Sequence, residues 1–149
     1  MVLREMDDFL EVLHTETAPP GIPAEGDLRF SVRVCSSGFS GSSASVWVDA
    51  AAFQKFLIQL RELESCRRGT ARLEALGSPD EFWLELRAVD RLGQLAVFGE
   101  LSSSRFLSTG QRQQQGVEFG FEFCPSLLPT VLREFASFAP GAPARSAQP

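Results

Sequence analysis

The chain has 149 residues, enough for one domain that buries about two thirds of the surface of its unfolded chain. It is 44% hydrophobic and 22% charged, which is typical of a soluble globular protein, and no apolar run reaches the roughly 20 residues of a membrane span. The formal net charge of −5 argues against nucleic-acid binding, because phosphate contacts need clustered lysine and arginine.

The N-terminal segment is compatible with two structures. A helix would place four apolar residues on one side: Leu3, Met6, Leu10 and Leu13. A hairpin would turn at Asp7-Asp8 between two apolar runs, and propensity does not decide between the two. The proline-rich segment 15–26 is predicted to be a loop.

Two strands and a helix are predicted next. The strand over 27–37 alternates, with one apolar face formed by Leu28, Phe30, Val32 and Val34. The strand over 43–49 has an apolar face formed by Ala44, Val46 and Val48. The Gly/Ser-rich stretch between them is interpreted as the hairpin connection. A helix capped by Asp49 and stopped by Gly69 follows, with the apolar stripe Phe53, Phe56, Leu57, Leu60 and Leu63.

The second half of the sequence predicts four more strands and a helix. The strands are placed at 70–76, 81–90, 93–101 and 116–123, with a turn at 90–93. The polar segment 102–115 lacks periodicity and is predicted to be a long, mobile connection. The helix over 124–138 would be capped by Ser126, with Pro129 tolerated in its first turn.

Cleanly alternating strands predict an antiparallel sheet with one covered face. The predicted fold is therefore α+β: a sheet of about six to seven strands with two amphipathic helices packed on one face, a two-layer sandwich. Residues 1–138 would form this single domain, and residues 139–149, rich in proline and alanine, a disordered tail.

No catalytic, metal or cofactor site is predicted. The stretch from Cys35 to Asp49 lacks the lysine of a phosphate-binding loop, and Ser42 stands where a nucleophile elbow needs its second glycine. His14 is the single histidine, so no metal-ligand cluster is available, although a Cys–His pair stays open. Three widely spaced cysteines without a CxxC motif favour free thiols, and acids where a signal peptide needs an apolar core predict a cytoplasmic protein.

The outward face of the predicted sheet is the candidate for binding. It combines tryptophan and arginine with acidic residues, a composition associated with protein interfaces. The predicted partner-binding residues are Trp47, Trp83, Glu85, Arg87, Glu118 and Glu122. The alternative is a solvated face whose tryptophans are covered by segment 102–115 or by the N-terminal segment.

Three segments carry a resemblance to a known family: residues 28–63, residues 82–101 and the closing strand and helix. In their order and pattern they resemble small bacterial immunity proteins of the WapI type. One departure is Gln94, which follows Gly93 where relatives have a histidine. The resemblance implies a bacterial source and a hairpin rather than a helix over residues 2–14.

The resemblance also implies a function: stoichiometric occlusion of a toxin, with no turnover. The tryptophans would anchor the toxin and the acids would steer it. The alternatives are a regulatory or scaffolding domain with another protein partner, and a small enzyme that uses one cysteine. The predicted partners exclude nucleic acid and membranes, and the chain is expected to be a monomer or a homodimer.

Overall fold

The computed structural model describes residues 1–76 and 81–139, which form an α+β fold of eight strands and two α-helices. The prediction of one sheet of six to seven strands is wrong, because the strands divide into two four-stranded antiparallel sheets. The first sheet contains β1 (Val2–Glu5), β2 (Asp8–Thr17), β3 (Leu28–Ser36) and β4 (Phe39–Val48). The second contains β5 (Thr70–Glu74), β6 (Phe82–Ala88), β7 (Leu95–Phe106) and β8 (Arg112–Phe123).

Each sheet is a meander followed by a helix. Strands that follow each other along the chain are neighbours in the sheet, in the orders β1-β2-β3-β4 and β5-β6-β7-β8. Helix α1 (Ala50–Cys66) follows the first sheet; a short 3-10 helix (Pro125–Leu127) and α2 (Leu128–Ala136) follow the second. The predicted tail, apart from its first residue, lies outside the described residues.

The N-terminal segment is a hairpin, as the resemblance implied. β1 pairs with β2 from Val2↔Glu11 to Glu5↔Asp8, and Met6 in the turn has a φ of 53°. The β2 strand continues to Thr17, so the predicted loop 15–26 begins three residues too early.

The β3–β4 hairpin contains most of the Gly/Ser-rich stretch as strand rather than connection. Its turn consists of Ser37 and Gly38, both with positive φ. A bulge in β4 shifts the register between the pairs Phe30↔Val46 and Val32↔Ser43. Because the bulge adds one residue to β4, the facing of its side chains reverses, and Ala44 is exposed rather than buried as predicted.

The polar segment 102–115 is not a mobile loop. β7 and β8 remain paired from Ser102↔Gly116 to Phe106↔Arg112, which leaves only residues 107–111 as the connection. Serine and glutamine on both faces give no apolar alternation, so this part of the hairpin depends on backbone hydrogen bonds that a hydrophobicity pattern does not register.

One hydrophobic core joins the inward faces of both sheets and the apolar sides of both helices. It contains the predicted α1 stripe and the inward residues of β3, β6 and β8. Asp49 caps α1 as predicted, with its Oδ1 2.8 Å from the amide nitrogen of Ala52. The helix ends at Cys66 with Arg67 (φ 53°) as its C-cap, so it stops before the predicted Gly69.

The start of the second helix differs from the prediction. Ser126 lies inside the 3-10 turn, and Leu127 precedes α2 without a side-chain cap, so the predicted Ser126 cap is wrong. Pro129 does lie in the first turn of α2. Within residues 1–76 and 81–139, no helix combines the length and the apolar character needed to cross a membrane.

Candidate protein-binding surface

The structure distributes the predicted binding residues over two sheets. Trp47 lies on the outward face of the first sheet, on β4. The other five lie on the outward face of the second sheet: Trp83, Glu85, Arg87, Glu118 and Glu122. The two sheets meet near Trp47, whose carbonyl oxygen accepts a hydrogen bond from the amide of Leu76 at 2.7 Å.

Strand pairing arranges the outward face of the second sheet in three rows that run across β5, β6, β7 and β8. The rows are Glu74–Trp83–Glu100–Glu118, Arg72–Glu85–Phe98–Gly120 and Thr70–Arg87–Ala96–Glu122. Neighbours within a row are directly opposite each other, so their side chains interact as cross-strand pairs.

Glu85 is the centre of an ion-pair network on this face. Its carboxylate accepts hydrogen bonds from Arg72 and Arg87, each at 3.2 Å, and its side chain is only 15% exposed. Arg72 also donates to Glu74 at 2.6 Å, and these bonds, first that to Glu74, raise the pKa of Arg72. Because two arginines already neutralise Glu85, it is poorly suited to the steering role that the sequence suggested.

The same arginines order the aromatic residues. The guanidinium carbon of Arg72 lies 4.6 Å from the ring centroid of Trp83, and that of Arg87 lies 4.3 Å from the centroid of Phe98. Both distances are within the range of cation–π attraction. Trp83 and Phe98 are therefore held as half-exposed, ordered surfaces, which reduces the side-chain entropy lost when a partner covers them.

Three acids on β7 and β8 have no such partner. Glu118 and Glu122 are exposed, Glu100 is half-buried, and none of them forms an ion pair with any residue in 1–76 or 81–139. Glu100 and Glu118 are direct cross-strand partners. Two like charges in that position repel each other, so a basic group brought between them from outside would be favourable.

The β1–β2 turn extends this acidic surface. Glu5, Asp7 and Glu122 line one shallow depression, and Met6 beside them is 88% exposed. The sequence showed Asp7 only as an ordinary turn residue, because the contact between this turn and β8 depends on how the sheets pack. We use the name acidic rim for Glu5, Asp7, Glu100, Glu118 and Glu122.

Trp47 has a separate environment. Arg29, its direct partner on β3, lies 6.0 Å from the tryptophan ring and pairs with Glu16 at 3.1 Å. The Nε atom of Arg29 is buried and has no hydrogen-bond partner among the residues that the structure describes. This small cluster repeats the arginine–aromatic–acid combination of the second sheet on the first.

The groups considered for catalysis do not converge. His14 shares a hydrogen bond with the hydroxyl of Thr17 at 2.9 Å, and its ring packs against Phe30 and Phe138. Cys124 is exposed, and its sulfur lies 3.0 Å from the hydroxyl of Ser126, which lowers the pKa of the thiol. Across the described ranges, no three His, Cys, Asp or Glu residues are grouped so that they could hold a metal ion.

Comparison of the chain with protein-family models, curated proteins and solved structures finds no match.

Proposed function

We propose that this chain is a non-enzymatic protein-binding domain that uses the outward face of β6, β7 and β8 to bind a basic protein. The observation that carries the proposal is that the unneutralised acids Glu118 and Glu122 share the outward face of the second sheet with the ordered ring of Trp83. An aromatic anchor beside a charged rim is the composition expected of a protein interface.

Charge and aromatic surface would act at different stages of binding. The acidic rim would raise the association rate of a basic partner through long-range attraction, an effect that salt screens. Trp83 and Phe98 would then be buried by the partner and slow its release. Arg72 and Arg87 would hold the two rings in place rather than contact the partner by charge.

The biological role that we propose is that of a bacterial immunity protein, which occludes a toxin by binding it stoichiometrically. The support is the resemblance of residues 28–138 to WapI-type immunity proteins together with this surface.

We further propose a cytoplasmic location, where Cys35, Cys66 and Cys124 would remain the free thiols that they are in the structure. A two-layer arrangement, with both helices covering one side of the sheets, is the proposed architecture behind this surface.

Charge reversal tests the proposal. Isothermal titration would compare binding of a basic protein, captured on the immobilised native chain and then purified, to three forms: native, Glu118→Lys/Glu122→Lys and Glu62→Lys/Glu64→Lys. The last variant makes the same change in net charge on α1. We expect the β8 variant to lose at least tenfold in affinity and the α1 variant to lose little.

Truncation of the proposed anchor gives a second, independent readout. Trp83→Ala should raise the dissociation rate, while circular dichroism and thermal denaturation show a folded chain. Equal losses in the two charge-reversal variants would mean that only net charge matters, and the proposed surface would be wrong. A binding curve unchanged by both Trp83→Ala and the β8 variant would also contradict it.

A further inference from the structure

The outward face of β8 presents two acids on either side of a glycine. Glu118, Gly120 and Glu122 lie on the same side of the strand, and all three are exposed. Neither carboxylate forms an ion pair with any residue in 1–76 or 81–139. Because a strand rises by about 3.3 Å per residue, the two acids are separated by about 13 Å, with a gap between them where Gly120 has no side chain.

The ring of Phe98 lies against this gap. Phe98 is the direct partner of Gly120 on β7, and a Cβ atom built on Gly120 would lie 2.9 Å from the ring. Arg87 contacts the same ring, with its guanidinium carbon 4.3 Å from the ring centroid. The absence of a side chain at Gly120 therefore places an ordered aromatic surface between the two acids.

The surface beyond β8 is formed by the β1–β2 turn. Glu5, Met6 and Asp7 line a shallow depression together with Gly120 and Glu122. Met6 is an exposed apolar side chain, and the residues on either side of it are acids. A segment of a partner that lay along β8 would therefore find apolar surface on both sides of it and negative charge along its length.

The backbone edge of β8 is already occupied at this point. The hydroxyl of Ser36 lies 3.4 Å from the carbonyl oxygen of Gly120 and 3.5 Å from its amide nitrogen. A strand could pair with Gly120 only by displacing this contact, so the outward face is the accessible side. Two β-layers that stack face to face lie about 10 Å apart, a distance that a glutamate and an arginine or lysine side chain span together.

We propose that the partner contacts β8 with an extended segment in which two basic residues are four positions apart and a large apolar residue lies midway. Every second residue of an extended segment faces the same way, at the spacing of Glu118, Gly120 and Glu122. The basic residues would meet the two acids, and the apolar residue would meet the ring of Phe98. This assignment rests on the proposed function, because it names the part of the basic partner that the same surface would contact.

The spacing also distinguishes an extended segment from a helix. Residues on one face of a helix recur at about 6 and 10.5 Å along its axis, and neither distance matches the separation of about 13 Å between Glu118 and Glu122. A helix that met one acid with a basic residue would therefore place its next basic residues away from the other acid.

Two synthetic peptides of identical composition test the spacing. In Thr-Arg-Thr-Leu-Thr-Arg-Thr, the arginines are four positions apart with leucine midway; in Thr-Thr-Leu-Arg-Arg-Thr-Thr, they are adjacent and face opposite ways. Threonine favours an extended backbone in both. Each peptide, with blocked termini, would be titrated at low ionic strength into the ¹⁵N-labelled full chain, up to about 5 mM peptide, while NMR follows the amide signals.

We expect the spaced peptide to bind about fivefold more tightly than the adjacent one and to shift the amide signals of Glu118, Gly120 and Glu122. Glu118→Gln/Glu122→Gln should abolish this preference. Glu62→Gln/Glu64→Gln, which removes the same charge from α1, should preserve it.

A third peptide, with alanine in place of leucine, tests the contact with the ring. It should bind the native chain less tightly than the spaced peptide does. In Phe98→Ala, which circular dichroism must show to be folded, the two should bind alike because the ring is absent. A difference that persisted in Phe98→Ala would mean that the leucine does not meet this ring.

Three results would overturn the inference: equal affinity for the spaced and adjacent peptides, a preference that survives Glu118→Gln/Glu122→Gln, or no binding of either peptide. Suppose that the peptides bind alike while the captured basic protein loses affinity for Glu118→Lys/Glu122→Lys. The proposed function then stands, and the extended segment is wrong. If that protein is also unaffected by the charge reversal, both proposals are wrong.

Discussion

The ring of Phe119 occupies the space that a side chain at Gly99 would need. The two residues are direct partners across β7 and β8, and a Cβ atom built on Gly99 would clash with both this ring and the carbonyl oxygen of Trp83. The aromatic ring thus fills the core above a glycine in the middle of a buried strand.

We expect Gly99→Ala to lower the free energy of unfolding by about 3 kcal/mol, because neither a buried ring nor a backbone carbonyl can move away easily. Urea denaturation measures this loss. Gly41→Ala is the matched control: a Cβ atom built on Gly41 would lie 3.1 Å from a methyl group of Val117 and would meet no backbone atom that closely, so we expect a loss below about 1 kcal/mol. Equal losses in the two variants would contradict the close approach at Gly99.

Arg72 should contribute modestly to stability. Arg72→Met removes its bonds to Glu74 and Glu85 and its contact with Trp83, but the side chain is 42% exposed. Because water screens exposed ion pairs, we expect a loss of about 1 kcal/mol or less, which shrinks as salt is added. Arg61→Met on the exposed side of α1 is the control, and a loss there as large as at Arg72 would argue against the network.

Cys124 should be the most reactive of the three thiols near neutral pH. The hydrogen bond with Ser126 stabilises the thiolate and lowers the pKa, so a larger fraction of Cys124 is ionised at a given pH. Alkylation followed by mass spectrometry over a pH series should give Cys124 the lowest midpoint. Ser126→Ala should move that midpoint to higher pH and leave Cys66 unchanged; an unmoved midpoint would rule out the hydroxyl as the cause.

Two carboxylates accept hydrogen bonds from the backbone amides in the first turn of α1. Besides the hydrogen bond that Asp49 accepts from the amide of Ala52, the buried Asp27 accepts one from the amide of Ala50 at 3.0 Å. We expect Asp49→Ala to cost about 1 kcal/mol of unfolding free energy, and Asp27→Ala about 2 kcal/mol because it leaves a partly buried amide without its partner. The asparagine variants keep an acceptor oxygen and should lose less in thermal denaturation; if they lose as much as the alanine variants, capping is not the cause.

Local patterns were enough to predict the elements that have one buried face. The apolar alternation of β3, and that of β6 and β8, matches their buried residues, and the α1 stripe is fully buried. In each case the spacing of the apolar residues, every second residue in a strand and every third or fourth in the helix, indicates which face lies against the core.

The wrong predictions concern features that the spacing of apolar residues does not show. Ala44 is exposed because a bulge reverses the facing of β4, and a bulge has no signal in a serine-rich strand. The division into two sheets, which separates Trp47 from Trp83, depends on which strands pair, and a local pattern does not contain that information. For the same reason the sequence did not show that Glu85 is neutralised while Glu118 is not.

The meander order of both sheets has a consequence for how quickly the chain folds. Every strand pairs only with strands adjacent to it along the sequence. The loops closed by these pairings are short, so little chain entropy is lost before the hydrogen bonds form. Among proteins rich in β-structure, we therefore expect this chain to refold toward the fast end of the range, ahead of sandwiches whose neighbouring strands are distant in sequence.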